Sequence, residues 1–219
     1  MAGRISYYGG IVKDGLVLDL DAAKRDSYVG VGTVWSDISG NGNNGTLTNG
    51  PTFNSGNGGS IVFDGVDDFV NFNATQSPNQ PKSIELWVYI PSLFIGQILS
   101  RGFTNYEIYT FTDGKLYTYW GGSFNTTINN PTITLNSWTH YVFTLSGTTE
   151  INYKNGVSLG ERLLNSPPSF SNSGNLNVGR RNNGSQYFTG KISNIKFYNR
   201  TISASEVLQN YNATKGRYL

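Results

Sequence analysis

The chain has 219 residues, no cysteine, one histidine and a formal net charge of +2. That composition excludes a disulfide framework, a thiolate metal centre and a cysteine nucleophile. Basic runs stop at the pair Arg180-Arg181, and no segment nears the roughly 20 apolar residues that span a bilayer, so neither nucleic acid nor membrane is an expected partner. Charge is uneven: residues 1–113 carry six Lys or Arg against eleven Asp or Glu, and residues 114–219 carry ten against three. Scattered solvated charge explains this most simply; complementary charge at a subunit interface is the functional alternative.

The opening Met1 to Gly10 lacks the apolar run of a signal peptide, which predicts a protein made in the cytoplasm. Residues 1–14 have no evident place in a core and are expected to form an N-terminal arm, with residues 15–219 as one domain. Leu16, Leu18 and Leu20 alternate on one face of the first strand. Asp21 to Asp26 fits a single helical turn. A glycine- and asparagine-rich loop, Val34-Trp-Ser-Asp-Ile-Ser-Gly-Asn-Gly-Asn43, then leads to the strand Ser60-Ile-Val-Phe-Asp64.

Residues 82–90 place Ile84, Leu86, Val88 and Ile90 on one face and Glu85, Trp87 and Tyr89 on the other. Tyr106 to Thr112 and Lys115 to Trp120 read as a hairpin through Asp113-Gly114, whose residues suit a type I′ turn. Trp138 to Leu145 alternates again, and Asn155-Gly156 joins a second hairpin. Leu176–Arg180 and Lys191–Tyr198 complete the strand set. Ser203-Ala-Ser-Glu206 is a capping box that opens one helix near residues 204–212. Together these elements predict an all-β fold, an antiparallel two-sheet sandwich with one short C-terminal helix.

Several segments, taken in order, resemble the laminin-G-like, concanavalin A-like jelly roll. They are the Trp35 loop followed by Phe63-Asp-Gly-Val-Asp-Asp-Phe69, then Ser83-Ile-Glu-Leu-Trp-Val88, Ile98-Leu-Ser-Arg-Gly102, Trp138-Thr-His-Tyr141 and Tyr153-Lys-Asn-Gly156. Gly179-Arg-Arg-Asn182, Gly190-Lys-Ile192 and the run Tyr198 to Glu206 follow. The opening Met1 to Tyr8 and the segment Leu20-Asp-Ala-Ala-Lys-Arg-Asp-Ser-Tyr28 also resemble structural proteins of tailed bacteriophages, the crAss-like group above all.

The jelly roll hosts glucanases, lectins and structural modules, and the residues separate these roles. Glucanases on this fold place catalytic carboxylates two and four residues apart on one strand face. None of Glu85, Glu107, Glu150, Glu161 and Glu206 has such a neighbour, so no catalytic residue and no enzyme activity are expected. His140 occupies a position expected to lie in the core. No cofactor is implied, except that Asp37 and Asn41 offer oxygen ligands for calcium; turn capping is the plainer role for them.

Lectin sites stack a sugar on an aromatic ring and bond its hydroxyls with amides. Tyr119, Trp120 and Asn125 beside Gly121-Gly122 have those parts, as do Arg181, Asn182 and Tyr187. Aromatics are 14 % of the chain and most must fill a core, which is the competing place for Trp120. The resemblances imply a non-enzymatic virion structural protein, either a capsid decoration protein or a fibre module. Its partners would be other virion proteins or further copies of itself. The alternative is a glycan-binding adhesin.

Overall fold

The computed structural model describes residues 10–102, 104–124, 130–171 and 173–219. Among them sixteen strands form in chain order. The first eight are β1 Leu16–Asp21, β2 Val34–Trp35, β3 Gly45–Thr48, β4 Thr52–Asn54, β5 Ser60–Asp64, β6 Phe69–Asn71, β7 Ser83–Tyr89 and β8 Gly96–Ser100. The rest are β9 Tyr106–Thr110, β10 Leu116–Trp120, β11 Ser123–Phe124, β12 Trp138–Ser146, β13 Thr149–Lys154, β14 Val157–Leu163, β15 Asn177–Val178 and β16 Thr189–Tyr198. Helix α1, Ala204–Thr214, follows.

The strands make two antiparallel sheets. Sheet I runs β14-β13-β12-β7-β16-β5-β4, with β1 also paired to β16; sheet II runs β11-β10-β9-β8-β15-β6-β3-β2. The fold is therefore the antiparallel jelly-roll sandwich with one short C-terminal helix that the strand pattern predicts. Alternation sends Ile84, Leu86 and Val88 of β7, and Tyr141, Phe143 and Leu145 of β12, into the shared core. Leu116 and Trp120 of β10 meet them from sheet II.

The turn chemistry decides strand register. Asn155 and Gly156 both have positive φ, 52° and 80°, so Lys154 pairs directly with Val157 across a two-residue type I′ turn. The expected type I′ turn at Asp113-Gly114 does not form. There Phe111 N–H donates to Lys115 O and Gly114 N–H to Phe111 O, while Gly114 alone takes positive φ, 81°. Asp113 Oδ1 accepts from Lys115 N at 3.0 Å and fixes this three-residue loop. The extra loop residue moves the register so that Tyr117 faces Tyr109 and Tyr119 faces Glu107. Asp21 to Asp26 forms turns in place of the expected helical turn, with Lys24 N–H on Asp21 O and Ser27 N–H on Lys24 O.

Helix α1 starts where the capping box predicts. Ser203 caps Glu206 N–H, and Glu206 Oε2 accepts from Ser203 N at 2.8 Å. Its inward face, Val207, Asn210 and Thr214, lies on the outer face of sheet I. The stretch before β1 docks there too. Val12 is buried with Tyr198, Ile202 and Val207, and its N–H donates to Asn210 Oδ1 at 2.8 Å. Residues 1–9 of the expected arm lie outside the described residues.

Candidate functional site

The outer face of sheet II carries a cleft of about 220 Å³. Glu107 and Tyr109 of β9 and Tyr119 of β10 line it, and Tyr117 shares their face beside it, because successive side chains alternate across the sheet. Tyr109 lies against Tyr117 with ring centroids 5.4 Å apart and near-parallel planes, and Tyr119 follows at 6.3 Å from Tyr109. All three rings are half-buried, so each presents part of a face or edge to solvent. Phe111 stands edge-on to Tyr117, and Tyr117 Oη donates to Asp113 Oδ2 at 2.7 Å.

One end of the cleft is polar. Glu107, almost fully covered, accepts from Ser100 Oγ at 2.8 Å, from Arg181 Nε at 3.3 Å and from Arg181 Nη2 at 3.5 Å. Gln97 Nε2 donates to Gln186 Oε1 at 3.2 Å. Gln97 Oε1 is buried with no hydrogen-bond partner among the described residues. Arg181 and Gln186 reach the cleft from a tight loop held by Arg181 N–H on Ser185 O and Gly184 N–H on Arg181 O.

Burial, then the charges of Tyr119, Tyr117 and Glu107, push the Tyr109 hydroxyl up to about 12. Burial and Glu107 raise Tyr119 as well, while Tyr117 is raised chiefly by its bond to Asp113. Near neutral pH these groups are un-ionised phenols able to donate and accept.

The structure divides the residues singled out in the sequence. Tyr119 and Arg181 line the cleft together. Trp120, next to Tyr119 in the same strand, faces the core with no exposed surface. Asn182 is exposed and its N–H donates to Ser100 Oγ at 3.3 Å, behind Glu107. Tyr187 is half-buried beside Gly96 and is not among the cleft-lining residues. Asn125 lies outside the described residues. Glu107, Tyr109, Gln97 and Gln186 were not singled out as binding residues. Period-two alternation from Tyr119 marks Tyr117, but Tyr109 and Glu107 join only through the shifted hairpin register.

Of the calcium candidates, Asp37 has both carboxylate oxygens taken by protein donors. Asp37 accepts from Asp19 N, Ser39 N, Ser39 Oγ and Asn43 N at 2.9–3.0 Å. Asn41 Nδ2 donates to Leu16 O and Ser39 Oγ. This network holds the loop through protein donors. Asp64, Asp67 and Asp68 also converge, but Asp64 Oδ1 caps Val66 N and Asp68 Oδ2 accepts from Asp64 N.

The remaining carboxylates are largely structural. Glu85 is buried beneath α1, with Lys196 Nζ at 3.4 Å, His140 Nε2 at 3.3 Å and a bond from Asn210 Nδ2 at 2.5 Å. Burial alone would raise its pKa, but Lys196, His140 and Asn210 outweigh that and hold it at about 2. Glu150, raised by burial, pairs with Arg162 at 2.7 Å and accepts from Thr118 at 2.9 Å inside the sandwich. Glu206 is held by Arg200 and its cap.

The family model of the concanavalin A-like lectin/glucanases superfamily matches residues 64–208, a span that includes every strand from β6 to β16. The chain belongs to this superfamily. A search of curated proteins returned no match. Among solved structures, the binding domain of a Paraclostridial mosquitocidal protein aligns over 92 % of this chain and 52 % of its own, at 18 % identity and a TM-score of 0.68. Domain 4 of a Geobacillus stearothermophilus extracellular arabinanase, solved with arabinotriose, aligns over 90 % and 98 %, at 20 % identity and 0.66. A Trypanosoma rangeli sialidase aligns over 95 % of this chain but 34 % of its own, at 15 % identity and 0.66. The chain thus spans about half of the toxin domain and a third of the sialidase, and at these identities the likeness is one of fold.

Proposed function

We propose that the protein is a non-enzymatic glycan-binding module whose site is the tyrosine cleft on sheet II. The observation that carries this reading is the partly exposed row Tyr117–Tyr109–Tyr119 ending on Glu107, Arg181 and Gln97. Aromatic faces receive the C–H surface of a sugar ring, and a few fixed polar groups orient its hydroxyls. Glycoside hydrolysis needs two carboxyl groups flanking the bond, and the lining residues of this cleft include one, Glu107. The arabinanase domain solved with arabinotriose shares the fold along nearly its whole length, which supports the sugar reading.

A glycan array followed by titration calorimetry tests it. The wild-type chain is expected to bind oligosaccharide, and Tyr109→Ala to lower affinity about tenfold or more at unchanged melting temperature. Wild-type chain that binds no glycan, or Tyr109→Ala that binds as well as wild type, defeats the proposal.

A second reading makes the module part of a virion, as a capsid decoration or fibre protein contacting other virion proteins or further copies of itself. It is supported by the likeness of Met1 to Tyr8 and Leu20 to Tyr28 to tailed-phage structural proteins. The two roles are compatible, since a decoration protein can present a glycan site. Deleting residues 1–9 should abolish incorporation into particles while leaving cooperative melting intact; unchanged incorporation removes the arm from this reading.

A further inference from the structure

Among the described residues, three acceptors at the polar end of the cleft keep unused bonding capacity. Gln97 Oε1 is buried without a partner. Glu107 Oε2 has only the 3.5 Å contact with Arg181, and Gln186 Oε1 a single 3.2 Å bond. A buried acceptor left unmet costs about 1–3 kcal/mol, so the matching ligand is one that brings donors. The one cation lining the cleft is Arg181, and its Nε and Nη2 already point at Glu107. Those two donors form one of the edges with which arginine grips a carboxylate in a fork.

An acidic sugar would therefore bring a second carboxylate to a cation already paired with one. It would also approach the negative faces of three tyrosines. A hydroxyl, which donates, meets none of these obstacles.

Building on the glycan-binding reading, we propose that the cleft selects uncharged, hydroxyl-donating sugars, and that the Glu107–Arg181 pair enforces this by holding Arg181 away from acidic ones. Glu107 is the specificity determinant. It supplies acceptors to sugar hydroxyls, and its charge offsets and engages one edge of the guanidinium that a uronate or sialate would need. Glu107→Gln keeps the shape and the Ser100 contact but removes the charge, releasing the Nε–Nη2 edge of Arg181. The change should convert a site for neutral sugars into one that tolerates acidic ones.

The test titrates wild type and Glu107→Gln with neutral probes (arabinotriose, xylotriose, cellotriose) and acidic ones (trigalacturonic acid, sialyllactose), with melting curves as the folding control. Wild type is expected to bind a neutral probe at least about tenfold more tightly than any acidic one. Glu107→Gln is expected to narrow or reverse that ratio, and its gain toward the acidic probe should fade as salt is raised. A wild-type chain that prefers an acidic probe overturns the selectivity while leaving glycan binding intact. An unchanged ratio in a folded Glu107→Gln chain overturns the role of Glu107. Absence of binding to every probe and to the array removes the glycan reading itself, and the selectivity with it.

Discussion

The two outer faces of the sandwich are built from similar parts and have opposite fates. On sheet I, Glu85, Lys196, His140 and Trp87 sit side by side on β7, β16 and β12. On sheet II, Glu107, Arg181 and the three tyrosines do the same around β9 and β10. Each face has a carboxylate, a cation and stacked aromatics. Helix α1 and the turn after it close the first: Tyr218 stacks on Trp87 at 4.0 Å, Thr214 accepts from Trp87 Nε1 at 2.9 Å, and Asn210 reaches Glu85. The cleft face of sheet II keeps its tyrosines half-exposed. Covered, such a set is a structural ion cluster; uncovered, it is left as the open cleft to which glycan binding is assigned in our proposal. The difference lies in what the chain lays over the strands, not in the strands themselves.

The comparison breaks most visibly at Glu85. Glu85→Ala leaves Lys196 as a buried charge without its carboxylate and should cost about 3–5 kcal/mol in chemical denaturation. The double replacement Glu85→Leu with Lys196→Met should be clearly milder than either single change. If it is as damaging, the cost comes from packing and not from stranded charge.

Two neighbours in β10 sharpen the contrast on the other sheet. Trp120→Ala should lose about 3–5 kcal/mol by opening a core cavity. Tyr119→Ala should change stability by no more than about 1 kcal/mol while weakening glycan binding. Equal thermal shifts for the pair would contradict their placement on opposite faces.

Acid tests the sheet I cluster by a second route. The Glu85 carboxyl sits at about 2 in the folded chain against an ordinary 4.5. The stability it contributes is full above pH 4.5 and is lost as pH falls toward 2. Asp19, raised by burial, works in the opposite direction, because its protonation favours the folded state. Melting curves across this window should flatten in Glu85→Gln relative to wild type. The smallest effect is expected at the helix cap, where Ser203→Ala should cost about 1 kcal/mol in thermal denaturation.

How much of this was legible in the sequence depended on the range of the interaction. Alternation at residues 84–90 separated the core set Ile84, Leu86, Val88 and Ile90 from its opposite face because period two is a local property. The capping box at Ser203 was legible for the same reason. The burial of His140 was expected from the resemblance, but that of Glu85 and Trp87 was not legible, since their cover comes from residues about as far along the chain as Asn210, 125 positions from Glu85. The cleft was legible in part. Tyr119 and Arg181 were named, but Tyr109 and Glu107 entered through a one-residue change in hairpin register that Asp113 and Gly114 impose. Reading the pair as a two-residue turn misplaces every cross-strand partner.

Strand β16 has a consequence for how the molecule is made. It is the sole link, among the described strands, between β7 on one side and β1 and β5 on the other. In sheet II, β15 likewise joins β8 to β6. Until residues 177–198 have been synthesised, each sheet exists only as separate fragments with unpaired edges. A chain emerging from the ribosome therefore holds most of its strands in waiting, exposed to wrong pairing, and a late segment closes both sheets almost at once.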